Sequence, residues 1–313
     1  MSRAADRLKV MVNHLDRPSF VVSFSTSNKR LSHCHSLAVS RYFFDNDLLS
    51  TEQRISYEED GFLLIKGLVY GEHIDRFRAA FEQIFHWEVQ VPGLVVMRDV
   101  SIAKSEFIPD QKAISKLQDF QEEPELFRYC SMPQILNSNQ MFRWSNIMAM
   151  HTMLINKPPD IGNKASRHSM HQDLHYFPVC PADRIVFSWT TMEKVHRQNV
   201  SLMVLPGSHH GTLKEHDYPE WEGGINKMYH GVRDYDPNHP RVHLDMEKGD
   251  SGFRKAISCH YARANCYYID VRGTTQENIG QEVCEITARK YAVDDVDTWA
   301  VRGRLVQGDR TDL

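Results

Sequence analysis

Ser166-Arg167-His168-Ser169-Met170-His171-Gln172-Asp173-Leu174-His175-Tyr176-Phe177-Pro178 is the stretch on which the reading of this chain turns. Its aromatic, extended character puts residues two apart on one face. His171 and Asp173 then face the same way, as two thirds of the 2-His-1-carboxylate arrangement that leaves open positions on Fe(II). A His-x-acid pair alone says little, because 17 His and 41 acidic residues in 313 give about two such matches by chance. Five are present, at His14/Asp16, His73/Asp75, His86/Glu88, His171/Asp173 and His243/Asp245. Context separates them. His73/Asp75 and His86/Glu88 lie where Ile74, Phe77, Phe81 and Ile84 recur at helical spacing, and residues two apart on a helix diverge.

Around that stretch, 313 residues with 41% hydrophobic side chains suffice for one large or two small globular domains. The net charge of −4, with Lys and Arg scattered, argues against a polyanion-binding surface. Cys34, Cys130, Cys180, Cys259, Cys266 and Cys284 show no Cys-x-x-Cys spacing, so an intracellular, mostly reduced protein is expected. No apolar run approaches the roughly 18 residues of a membrane helix.

The amino terminus has a different texture. Leu8, Met11, Val12 and Leu15 make one apolar helical stripe that Arg17-Pro18 stops. Arg7-Leu8 and His14-Leu15, separated by five residues, resemble the type-2 peroxisomal targeting signal, a helix read by a soluble receptor. Ser19–Ser40, rich in Ser, His and Asn, reads as flexible presequence. Beyond it, Ser50-Thr51-Glu52-Gln53 caps a helix to about Asp60, and Phe62–Val69 reads as a strand. Gln111–Tyr129 mixes helical and polar features. From about Met141 short β-rich runs follow: Ile185–Thr191, Val200–Leu205, Arg241–Met246, Arg254–Tyr261 and Asn265–Val271. Helices first and many short strands after predict helices packed around a β-sandwich or barrel.

Tyr57-Glu58-Glu59-Asp60-Gly61-Phe62, Met97-Arg98-Asp99-Val100, Asn156-Lys157-Pro158-Pro159, His171–Pro178, Leu205-Pro206-Gly207-Ser208-His209 and Gly252–His260 together resemble the phytanoyl-CoA dioxygenase family, over essentially the whole chain. The resemblance implies a mainly β chain with flanking helices (α+β), built on a double-stranded β-helix or jelly-roll core. It implies Fe(II) and the cosubstrate 2-oxoglutarate, with ascorbate keeping the iron ferrous. The implied reaction is 2-hydroxylation of a 3-methyl-branched acyl-CoA, phytanoyl-CoA, in fatty-acid α-oxidation in the peroxisome matrix. Arg7, Leu8, His14 and Leu15 would then be read by the import receptor. The implied layout is a targeting presequence over 1–40 and a dioxygenase-like domain over 41–313. That domain has a helical part at about 50–140, a β-helix core at about 141–271 and a C-terminal segment over 272–313.

Residue by residue, the resemblance makes His171 and Asp173 iron ligands. Arg254 grips the distal carboxylate of 2-oxoglutarate, a task suited to a planar, permanently charged fork. Lys116, Met153 and Trp189 line the cosubstrate pocket. From the residues alone, Lys116 is as readily a solvated helix lysine, and Met153 and Trp189 are ordinary core. His175, on the same strand face, reads as a packing neighbour of the ligands.

One feature departs from the family pattern. Gly249-Asp250 runs straight into Ser251-Gly252-Phe253-Arg254, where the family carries a strand and turn bearing the distal iron histidine. Among possible substitutes, His243 belongs to the preceding strand and His209-His210 to a Pro-Gly turn. His260 is six residues from Arg254, about 20 Å along a strand and too far for one small diacid to bridge. Loss of a strand should leave two neighbours without ladder partners and open a groove, unless they re-pair through the Gly249–Gly252 turn. Two function classes follow: an oxygenase, or a catalytically inactive relative acting only in binding.

Overall fold

In the computed structural model the described residues are 19–24, 49–99, 114–139, 144–157, 168–195, 202–220, 226–234, 236, 238–244, 246, 254–291 and 303–309. The strands are β1 (Ser19–Phe24), β2 (Phe62–Lys66), β3 (Val95–Arg98), β4 (Ile114–Gln118), β5 (Ile147–Lys157), β6 (Val179–Cys180), β7 (Ile185–Thr191), β8 (Leu202–Val204), β9 (His216–Asp217), β10 (Gly231–Val232), β11 (Val242–Leu244), β12 (Arg254–Arg263), β13 (Tyr267–Tyr268) and β14 (Arg304–Gln307). The helices are α1 (Thr51–Asp60), α2 (Gly71–Phe85), α3 (Pro124–Arg128), α4 (Pro133–Asn139) and α5 (Glu277–Tyr291).

Helix α1 starts as its sequence dictates. The Ser50 side chain accepts from Gln53 N and the Gln53 side chain returns to Ser50 N, a capping box. Gly61, at φ 79°, ends the helix in the left-handed region that favours glycine. The chain then enters β2, at one end of an eight-stranded sheet ordered β2-β1-β7-β12-β5-β4-β3, with β14 also paired to β5.

The two faces of this sheet do different jobs. Ile74, Phe77 and Phe81 of α2 pack with Leu117, Leu154, Ile257 and Tyr261 in the larger core, and each such buried side chain contributes ~1.5–3 kcal/mol. Tyr129 anchors that side through its hydroxyl, 3.2 Å from Ser188 Oγ and 3.0 Å from Thr190 Oγ1. On the other face Trp189 and Ala256 pack with Leu244 and Met246, and against Leu202 and Val204, so the β8–β11 pair covers part of the sheet. The pairs β9–β10 and β6–β13 complete the short two-stranded elements. One long sheet faced by short strand pairs is the expected jelly-roll sandwich.

Several expectations need correction. The stretch read as mixed over Gln111–Tyr129 contains β4, so Lys116 lies on a strand and is buried, not on a solvated helix. Within the segment read as flexible presequence, Ser19–Phe24 is a strand paired antiparallel to both β2 and β7. The targeting residues Arg7, Leu8, His14 and Leu15 lie outside the described residues. Of the expected strand over Asn265–Val271, only Tyr267–Tyr268 pairs. Of the described cysteines, Cys130, Cys259, Cys266 and Cys284 are free, in line with a mostly reduced protein, and Cys180 is the exception, being disulfide-bonded. β12, which follows the gap, is paired on both sides, to β7 and β5, whereas β11, which precedes it, pairs with β8 alone among the described residues. Residues 247–253, where the sequence departs from the family pattern, lie outside the described residues.

Candidate active site

Antiparallel partners project to the same face of a sheet, and residues two apart on a strand share that face. In register, His260 lies between His151 and Phe187, Ser258 between Met153 and Trp189, and Ala256 between Ile155 and Thr191. Lys116 pairs with Ile155, and Arg254 pairs with Lys157 at the end of β12. Lys116, Met153, Trp189 and the Arg254 position thus share the inner face of the main sheet. His260 is on that face too, at the opposite end of β12 from Arg254.

Opposite this wall runs the loop bearing the His-x-Asp pair. Gln172 is extended, at φ −103° and ψ 126°, and Asp173–Tyr176 then coils into a short 3-10 turn. The expectation that His175 stays on the ligand face fails for that reason. The turn directs His175 away, where it is buried, shares a 3.1 Å hydrogen bond with His230 Nδ1 and stacks on His216 at 4.3 Å. His230 Nε2 reaches Glu282 Oε2 at 3.1 Å, which ties this cluster to α5. Burial and the neighbouring imidazoles of His216 and His230 hold the His175 ring well below ordinary histidine basicity, at about 2, so it is neutral.

Besides the apolar burial of Leu174, long-range polar contacts hold the loop. Gln172 N donates to His216 Nε2 at 2.9 Å, and the Gln172 side chain bonds Thr212 O and Lys214 N. Buried Gln276 donates to the carbonyls of Leu174 and His175 at 2.8 and 3.3 Å. Val232 N donates to Met170 O, and a Cβ on Gly231 would lie 2.4 Å from Ser169 Cβ, so the approach there requires glycine.

His171 and Asp173 meet at this loop. His171 Nδ1 donates to Ser169 O at 2.8 Å, which leaves Nε2 facing Asp173 Oδ1 at 3.3 Å. A neutral His171 therefore presents a lone pair to a carboxylate, acceptor against acceptor, an arrangement that a cation or a proton between them relieves. Burial pushes the Asp173 carboxyl up, but the adjacent imidazoles of His171 and His260 outweigh it and hold it well below the usual carboxylate range. Asp173 is thus ionised, as a metal ligand must be. Among the described residues no three His, Cys, Asp or Glu side chains form a ready-made metal site. The residues present fit a divalent ion as a two-ligand face.

A stack links this pair to Lys116. His168 lies 4.0 Å from His171 and 4.3 Å from Tyr229, ring centroid to centroid, and Lys116 Nζ sits 4.8 Å above the Tyr229 ring. Burial pulls the Lys116 ammonium down to about 8. The histidines set aside from sequence divide. His209 Nε2 donates to Glu58 O at 2.9 Å, ordering its loop, and His243 is exposed on β11. His260, by contrast, is in the site, with Nε2 3.4 Å from Asp173 Oδ2. Its strand distance from Arg254 had no bearing on Asp173, which arrives from another segment. Sequence reasoning missed His168, His216, His230 and Gln276 altogether. Only the closeness of His168 to the His-x-Asp pair carried a signal, since the others arrive from 40 or more positions away.

Fold and site together define a class: a jelly-roll protein whose His171/Asp173 pair suits a divalent ion. The chain matches the family model "Phytanoyl-CoA dioxygenase (PhyH)" over residues 57–266. It is 52% identical over 336 aligned residues to "Phytanoyl-CoA dioxygenase, peroxisomal" of Mus musculus, covering 100% of this chain and 99% of that one. Against the protein of that name from Homo sapiens it is 53% identical over 334 residues, with 99% of each covered. The chain belongs to the phytanoyl-CoA dioxygenase family. Because the Mus musculus alignment is 336 positions long and this chain has 313 residues, at least 23 positions stand opposite gaps in it. Among solved structures, EctD from S. alaskensis in its apoform shares the fold, with a TM-score of 0.51, 12% identity, and 78% of this chain and 85% of that one covered.

Proposed function

We propose that this chain binds Fe(II) through His171 and Asp173 and 2-oxoglutarate against the inner sheet face, in a site for 2-hydroxylation of a 3-methyl-branched acyl-CoA such as phytanoyl-CoA. The observation that carries the reading is His171 Nε2 facing Asp173 Oδ1 at 3.3 Å, two acceptors in need of a cation, beside the wall of Lys116, Met153 and Trp189. When bound, the metal and cosubstrate supply oxygen activation. The chain's own residues bind and orient. Ser169 O fixes the His171 tautomer, Arg254 takes the distal carboxylate, the Lys116 ammonium adds positive charge, and Met153 and Trp189 exclude water from the cosubstrate. Ascorbate serves as the reductant that keeps the iron ferrous.

The distal histidine of the family falls in the shortened turn, so turnover by this chain is slow. Two protein ligands place a metal less firmly than three, and misplacement near 1 Å costs ~100-fold in rate. A second reading, a catalytically inactive relative that only binds, is favoured by the same loss and by the 23 or more alignment positions that stand opposite gaps in this chain. Titration with Mn(II), then with 2-oxoglutarate, tests the site. We expect weak metal binding that His171→Ala with Asp173→Ala lowers at least ~100-fold, and cosubstrate binding that Arg254→Ala removes. Metal binding that survives the double variant would mean the site lies elsewhere.

The four relatives named peroxisomal support import of this chain into peroxisomes by the receptor that reads Arg7, Leu8, His14 and Leu15, ahead of a dioxygenase-like domain whose sheet takes in Ser19–Phe24 as well as strands within 41–313. A reporter fused to residues 1–40 should become punctate and turn diffuse with Leu8→Arg. A diffuse signal from the unmodified fusion would contradict this.

A further inference from the structure

His260 occupies the middle of the sheet's inner face and is buried, with its ring 4.3 Å, centroid to centroid, from those of both Phe177 and Phe187. Its Nδ1 has no hydrogen-bond partner among the described residues. Its Nε2 lies 3.4 Å from Asp173 Oδ2, while His171 Nε2 lies 3.3 Å from the other oxygen, Oδ1. The two imidazoles therefore address different oxygens of one carboxylate.

We propose that His260 is a positioning residue: its Nε2–H holds Asp173 Oδ2, so that Oδ1, beside His171 Nε2, is the oxygen presented to the metal. This rests on the reading of His171 and Asp173 as the metal-holding pair. Tautomer chemistry supports it. A proton on Nδ1 would bury an unpaired N–H among aromatic rings and would aim the Nε2 lone pair at a carboxylate. A proton on Nε2 leaves only an unpaired acceptor and makes a charge-assisted hydrogen bond. The supports also differ in stiffness. His260 stands on β12, paired on both sides to β5 and β7, whereas Asp173 stands on a short turn, so the histidine fixes the carboxylate and not the reverse. With two protein ligands the constraint matters more. An unheld carboxylate can turn, chelate through both oxygens and close the position that a chelating cosubstrate needs.

The test uses the intact chain with Mn(II), its affinity read by electron paramagnetic resonance, and Co(II), its ligand set read by absorption. His260→Phe removes the donor and keeps the ring volume, His260→Leu removes it at smaller volume, and His260→Gln places an amide N–H near the Nε2 position. Thermal melting establishes that each variant is folded, and either apolar variant suffices. We expect the Phe and Leu variants to bind Mn(II) ~10–100-fold more weakly, and the Gln variant to recover to within about threefold of the parent, with the Co(II) bands of the parent. Unchanged Mn(II) affinity in a folded Phe or Leu variant overturns the proposal. So does a Gln variant as weak as Phe, or one whose Co(II) spectrum has lost a nitrogen ligand, which would make His260 a direct ligand. The parent separates this from the site reading: if its Mn(II) binding is indifferent to His171→Ala and Asp173→Ala, the site is wrong. If that binding is sensitive to both and only the His260 variants are silent, the positioning role alone fails.

Discussion

The two walls of the site are built on opposite principles. The sheet wall, β5, β12 and β7, is a continuous ladder whose registers put Met153, Ser258 and Trp189 in one row and His151, His260 and Phe187 in the next. The loop wall, residues 168–176, has little ladder of its own and hangs from Gln276, His216, His230 and the backbone of Val232. Backbone pairing and apolar burial place the first wall, and the second depends far more on hydrogen bonds to distant segments. Stability and metal binding should therefore come apart when the walls are damaged separately.

The largest effect should follow from Leu154→Ala on the sheet wall. Leu154 is fully buried on the helix-facing side, and its truncation should cost ~2–5 kcal/mol by denaturant unfolding while metal affinity in the folded protein stays the same. Gln276→Ala should do the reverse. It frees two carbonyls of the Asp173–Tyr176 turn, which should cost only ~1–3 kcal/mol of stability and weaken Mn(II) binding about tenfold. Equal loss of metal binding in both variants would erase the distinction between the walls.

A smaller effect should appear with pH. The ammonium of buried Lys116 is pulled down to about 8, so the residue is charged below that pH and neutral above it. Cosubstrate affinity should fall as pH rises through about 8, by about fivefold, the ~1 kcal/mol of one favourable charge pair, and Lys116→Met should flatten the curve. A curve for that variant that still falls would remove Lys116 from the cosubstrate pocket.

What the sequence makes legible follows the same division. Ile185–Thr191 and the start of β12 at Arg254 are read correctly because alternation and β-branched content are local signals. The Ser50 cap and the Gly61 stop are local as well. Lys116 is misread because β4 is five residues long and fully shaped by its neighbours β3 and β5. The His175 turn and the His216–His230–Glu282 support are illegible, since they depend on contacts between segments 44 to 55 residues apart that no short window contains. His260 is set aside from sequence because distance is counted along one strand, while the fold brings Asp173 to it from 87 positions away.

The central claim is that the site is intact on both walls and lacks only a firmly placed third ligand. The most direct measurement is 2-oxoglutarate-dependent succinate formation with phytanoyl-CoA. It compares the chain as it stands with one carrying a family-like strand and its histidine between Asp250 and Ser251. The account predicts a rise of ~100-fold on restoration, with succinate coupled to hydroxylated acyl-CoA. Equal, coupled turnover by the two chains would contradict it.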